Sequence, residues 1–173
     1  MATPTLTEIR GFSAAQIQSI TTTDVQGLTS SHISALTTEQ VVGLSSIQIP
    51  QLTPAAVRGF NSNQLLALGS TQLASLTSAQ IPLLQPGAIP GLQAEDIIGF
   101  NTLQIASFTS AQIPFLTTAQ IAALSSAQVD NLTTNQVKSL TSTQIGVIDL
   151  EALVALDTRQ LAQLSAAAIG GLT

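Results

Sequence analysis

The sequence predicts an all-α solenoid of very short helices. Three observations predict it. Residues 5–172 make 168 positions, which divide into 21 successive octads with no insertion. Two apolar columns run the length of the chain. A polar column in register with them repeats a helix-start signal. Self-similarity at a fixed period is the signature of a repeat array, in which each unit buries against its neighbours a face it could not bury alone.

The octad explains itself position by position, with Thr5 as position one. Position one is Thr, Ser, Asn, Asp or Gly in 19 of the 21 octads, with Gln85 and Gln93 as exceptions. Position four is Gln in 13, and Glu8, Asp24, His32 and Asp96 keep it polar in four more. A hydroxyl followed three residues later by Gln or Glu is a capping box, which satisfies two orphan N–H groups at a helix start. Thr77-Ser78-Ala79-Gln80, Thr109-Ser110-Ala111-Gln112 and Thr117-Thr118-Ala119-Gln120 are clear copies. Pro54 and Pro86 stand at position two, the first helical residue, where a missing N–H costs nothing. Position five is aliphatic in every octad, and position eight is always Leu, Ile or Phe. These two columns are the expected core.

A single continuous helix is excluded, because eight residues at about 100° each would rotate the apolar pair by about 80° per octad. The chain must therefore turn at each octad boundary. The resulting helices of about six residues are too short to hold alone, so packing must hold them. Pro50, Pro82, Pro90 and Pro114 fall at position six, where a Pro deletes a helical hydrogen bond. Those octads are expected to form one α or 3₁₀ turn followed by an extended step. The competing architecture is a β-solenoid, but apolar spacings of three and five are not a strand period.

Position seven carries a second period. In odd-numbered octads it is always Gly, Ser or Ala, as in Gly11, Gly27, Gly43, Gly59, Gly91 and Gly171. In even octads it includes Gln51, Leu83, Phe115 and Val147. The four Ala exceptions at position four, Ala56, Ala88, Ala152 and Ala168, all lie in odd octads. This alternation predicts octads paired into 16-residue helical hairpins, with close backbone approach at the small residues.

Composition narrows function. Charged residues are 8% of the chain, and there is no Cys, Trp or Tyr. Four Lys plus Arg against nine Asp plus Glu give a net charge of −5, which argues against nucleic acid. No nucleophile, base or ligand set recurs, so no catalytic, cofactor-binding or metal-binding residue is assigned and an enzyme is not expected. His32 stands in the capping column, and Asp149 and Asp157 read as helix caps. Arg10 and Arg58, each before Gly-Phe, read as an edge contact or a solvated face rather than an anion site. Leu83, Phe115 and Val147 lie outside the core columns and form a candidate contact ridge. Residues 1–4 read as a leader without signal-peptide features, and 5–173 as one array. Thr173 opens a twenty-second octad, as expected of a piece of a longer array. No apolar run is long enough to span a membrane.

Two resemblances follow from these motifs. The segment Leu36-Thr37-Thr38-Glu39-Gln40-Val41-Val42-Gly43-Leu44 resembles the opening helix of TAL-effector repeats, over one helix start only. The second helix and base-reading loop of those repeats have no counterpart here, so DNA binding is not carried over. Along its whole length, as at Leu116-Thr117-Thr118-Ala119-Gln120-Ile121-Ala122-Ala123-Leu124, the chain resembles Leu-Thr-x-x-Gln-Ile-x-x-Leu arrays of large bacterial proteins. That resemblance implies a secreted or surface-attached, non-enzymatic structural or adhesive region. The alternatives are a protein- or peptide-binding solenoid, a filament subunit stacking head to tail, and ice binding by the Thr column.

Overall fold

The computed structural model describes residues 3–164 and residue 170. Expectations for Ala168, Ile169, Gly171, Leu172 and Thr173 lie outside these residues. The described residues are helical, without a strand, so the all-α solenoid forms and the β-solenoid does not. The chain divides into two compact units, Met1–Gly91 and Leu92–Thr173.

The first unit contains α1 (Leu6–Arg10), α2 (Ala14–Ser19), α3 (Thr22–Val25), α4 (Ser30–Ala35), α5 (Thr38–Val41), α6 (Pro54–Val57), α7 (Ser62–Ala67) and α8 (Ser70–Ala74). The second contains α9 (Ala94–Gly99), α10 (Thr102–Ala106), α11 (Thr118–Ala122), α12 (Ser126–Asp130), α13 (Thr134–Ser139), α14 (Ser142–Ile145), α15 (Leu150–Val154) and α16 (Thr158–Leu161). Where Pro stands at position six the octad closes as a 3₁₀ turn, at Ile49–Gln51, Ile81–Leu83 and Ile113–Phe115, and Pro90 lies in the 3₁₀ segment Pro86–Gly91. After the three short turns the chain steps into extended backbone at Leu52, Leu84 and Leu116. The sequence expectation for these prolines holds.

Helix starts are built as the capping pattern requires. Thr37 N–H donates to Gln40 Oε1 at 2.9 Å, and Gln40 N–H donates to Thr37 Oγ1 at 3.2 Å. The pairs Thr77/Gln80 and Thr117/Gln120 repeat this exchange. Helix ends close when the position-eight N–H reaches back to the position-five carbonyl, as from Leu36 to Ile33 at 3.1 Å. Position eight and the next position one are then extended, as at Ile20 and Thr21. Two extended residues make the whole corner. No described residue has a positive φ, so the corners need no left-handed glycine.

Positions five and eight form the core of each unit, although Phe12, Ile20, Leu153 and Leu164 are only half-buried and Leu161 is exposed. In the first, Ile9, Ile17, Val25, Ile33, Val41 and Ile49 are fully buried. In the second, Val129, Val137 and Ile145 are equally closed off, and the rings of Phe100 and Phe108 meet at 6.1 Å. Burying one such aliphatic side chain stabilises by about 1.5–3 kcal/mol, which is what holds helices of four to six residues in place.

Hairpin pairing is corrected by the contacts. The main helix–helix contacts join octads three apart: α1 with α4, α2 with α5 and α5 with α7 in the first unit, and α9 with α11, α11 with α14 and α13 with α16 in the second. Hydrogen bonds between layers span 28–31 residues. One coil therefore closes after about 28 residues, or three and a half octads. Consecutive octads are sides of one coil rather than arms of a hairpin, because the extended corner turns each helix away from its predecessor. Close approach nevertheless holds at the odd position-seven residues Gly27, Gly43, Gly59 and Gly91, though not at Gly11. A Cβ on Gly43 would lie 2.2 Å from the carbonyl oxygen of Ala14, and one on Gly91 would lie 2.0 Å from that of Ser62. At the even-octad Gly99 a Cβ would meet nothing within 4 Å.

Candidate interaction surface

Position four is the functional column of the fold, and its second role was not read from the sequence. Beyond capping its own helix, the Gln side chain turns its Nε2 onto the coil below. In the first unit Gln40 Nε2 donates to the carbonyls of Ile9, Arg10 and Phe12 at 3.2, 3.1 and 2.6 Å. Gln48 does the same to Ile17, Gln18 and Ile20, at 3.0, 3.2 and 2.8 Å. Gln64 reaches Ile33 and Leu36 at 2.7 and 2.8 Å. In the second unit Gln136 reaches Ile105 and Phe108, both at 2.8 Å, and Gln144 reaches Ile113 and Leu116.

Each of these five carboxamides thus accepts at its own helix N-terminus and donates to the C-terminal carbonyls of a helix one coil away. Both sets of orphan backbone groups are satisfied by one side chain. Glutamate could serve the capping box but could not donate. The signal was present in the sequence: the column holds 13 Gln and one Glu, a bias that capping alone does not explain.

The remaining polar candidates are local. His32 Nδ1 accepts from the Thr29 N–H at 3.1 Å, which makes the imidazole a capping side chain. Asp157 Oδ1 accepts from Gln160 N–H at 2.8 Å, and that bond leads the causes holding its carboxyl below the ordinary aspartate value. Glu8 is held below the ordinary glutamate value by the backbone and then the hydroxyl of Thr5. Asp149 caps α15 through the Glu151 N–H. Arg10 and Arg58 are exposed. Asp96 differs from its column. It is buried, its Oδ2 accepts from Gln93 N–H at 2.7 Å, and its Oδ1 has no partner.

The three ridge candidates differ in exposure. Phe115 is 47% exposed, whereas Leu83 and Val147 are half-buried. Leu83 lies in the first unit, and Phe115 and Val147 in the second. Other apolar residues are more exposed and were missed: Ile47 in the first unit and Leu103, Leu150 and Val154 in the second, each above 70%. They occupy positions two, three and six, outside the core columns and outside position seven.

Fold and column together define a repeat-array protein, in which the position-four Gln side chains tie coil to coil. Residues 17–54 and 89–126 match the ALTTAQ repeat family. Each matched stretch holds a run of that form, Ala35-Leu36-Thr37-Thr38-Glu39-Gln40 and Phe115-Leu116-Thr117-Thr118-Ala119-Gln120. No curated protein matches the chain. No described helix is long and apolar enough to cross a membrane.

Proposed function

We propose that the chain is a non-enzymatic structural region, a spacer or scaffold in a larger bacterial protein exposed at the cell surface or secreted. The observation that supports this reading is the use of the position-four carboxamides. The most regular polar column in the chain is consumed by coil-to-coil bonding, as at Gln64 and Gln136. The outward positions carry mostly small Ser, Thr and Ala side chains. Such an array stores its specificity in its own stacking. Force spectroscopy on a single chain held at its two ends tests it. A spacer is expected to resist with discrete force peaks as coils detach, and a chain that extends without a peak would overturn the reading.

A second reading, an adhesive or protein-binding surface, is favoured by Leu150 and Val154. They stand one helical turn apart on α15, and both are about three-quarters exposed, at 73% and 77%. Side chains four apart share a helix face. Together with Phe115 and Val147 they give the second unit apolar contact residues. If binding resides there, L150S/V154S abolishes attachment of the purified chain to its host-cell surface while the helical spectrum stays unchanged. Attachment that survives the double substitution would count against this surface.

A further inference from the structure

Helix α15 turns Leu150, Glu151 and Val154 outward, while Ala152 is buried. Leu150, Val154 and Glu151 follow one another around about 100° of the helix. Their exposure belongs to the octad positions and not to the place of α15 in the chain. Positions two and six are equally open on α11, where Thr118 and Ala122 are exposed although α9 and α14 both pack on that helix. Small side chains hold those positions on α11, and aliphatic ones hold them on α15. The octads on either side of α15 are tied down. Gln144 Nε2 donates to the carbonyls of Ile113 and Leu116 at 2.8 and 2.7 Å, and Gln160 Nε2 to those of Asp130 and Leu132 at 2.8 and 2.6 Å. The aliphatic pair is therefore presented on a fixed backbone, which lowers the ordering cost of covering it.

Charge decides what can cover it. Asp149 and Glu151 are exposed beside the two aliphatic residues. Helix α12, which packs on α15, ends at the exposed Asp130. The next octad adds Asp157 and Arg159, which pair with each other at 3.5 Å. Among the described residues that is the only ion pair, so Asp130, Asp149 and Glu151 keep their charge unneutralised. A second copy of the chain, itself at −5, would bring like charge to this face, and so would an anionic membrane surface. We propose that the outer face of α15 binds a basic protein segment. Aliphatic side chains of that segment cover Leu150 and Val154, and its Lys or Arg side chains meet Asp149 and Glu151. The proposal rests on the protein-binding reading above and names the chemistry of its partner. The carboxylates steer the encounter and the aliphatic pair holds the complex, so affinity falls as salt rises.

A dye-labelled synthetic helix with Leu on one face and Lys on the other is the probe, and fluorescence anisotropy reads its binding to the intact chain. Binding is expected to weaken with salt, and to weaken about tenfold or more in L150S/V154S and again in D149N/E151Q. Asn at 149 keeps the helix cap, and an unchanged helical spectrum verifies the fold of both variants. No binding by the unaltered chain, or binding that either variant leaves intact, would overturn the proposal. The same helix with Glu in place of Lys is expected not to bind, and equal binding of the two would remove the role of charge and sink the idea. Vesicles of anionic phospholipid are expected not to capture the chain. Capture that L150S/V154S abolishes would assign the face to a membrane instead. Cell attachment separates this proposal from the reading beneath it. Attachment lost in L150S/V154S but kept in D149N/E151Q would preserve an adhesive surface and overturn the basic partner.

Discussion

At the residue scale, position seven and position four do different work from the one their residue types usually signal. Glycine near a helix end commonly supplies a left-handed conformation. Here no described glycine has a positive φ, and Gly43 is needed for space against the Ala14 backbone. Gly43→Ala is therefore expected to destabilise by about 1–3 kcal/mol, since the clash is with backbone that cannot rotate away. Gly99→Ala, with open space around its Cβ at the last residue of α9, is expected to stabilise by about 0.5–1 kcal/mol. Paired urea denaturation curves check both signs. Asp96 is the exception in the polar column, a buried acceptor with one oxygen unpartnered. Asp96→Gln keeps the acceptor for Gln93 N–H and adds the donor its column carries elsewhere. It is expected to raise stability by about 1 kcal/mol, read as an increased thermal midpoint.

At the element scale, no helix here is stable in isolation. The α-helices run from four to six residues, and nucleation alone would defeat them in water. Two devices compensate: the capping exchange within an octad and the carboxamide bridge between coils. Removing the first should be measurable by itself. Thr117→Ala deletes the acceptor for the Gln120 N–H while leaving Gln120 Oε1 on the residue-117 N–H. The expected loss is about 1 kcal/mol by chemical denaturation. The prolines show the same economy of design. At Ile113–Phe115 the turn tightens to 3₁₀ and still returns the chain to an extended Leu116, so the corner geometry survives.

At the scale of the whole molecule, charge is sparse, and the titrating groups that matter are few. Glu8 and Asp157 both have folded-state carboxyls held below their ordinary values of 4.5 and 3.8 by hydrogen bonds at helix starts. A lowered folded pKa means that the unfolded chain binds more protons in that range. Their contribution is fully present above the ordinary carboxylate range and is lost as pH falls through the lowered folded values. Acid titration followed by circular dichroism is expected to show stability declining below about pH 4.5. Glu8→Gln should flatten the first part of that decline. An unchanged slope would show that the Thr5 bonds contribute nothing to folding.

Much of the fold was legible because local rules and the repeat agree. The octad register, the two core columns, the capping boxes and the proline turns each follow from residue type at fixed spacing. The 16-residue alternation was legible too, but its meaning was not. Gly43 and Gly59 announce close approach, yet only the fold shows that the partners are Ala14 and Ser30, 29 residues back in each case. An alternation of small and large residues specifies a crowded place without specifying which backbone crowds it. The surface was the least legible part. Leu83 and Val147 looked outward by column and are half-buried, whereas Leu103 and Val154 were overlooked and are exposed.

The sequence by itself determined where each helix starts and stops and which side chains point inward. Those are decisions made within about eight residues by caps, prolines and hydrophobic spacing. The tertiary structure alone decided how many octads close a coil. That number depends on the angle taken at each pair of extended corner residues, which no residue type fixes. With closure near 28 residues, Gln40 lies over Phe12 and Gln136 over Phe108, and a capping residue becomes the rung between coils.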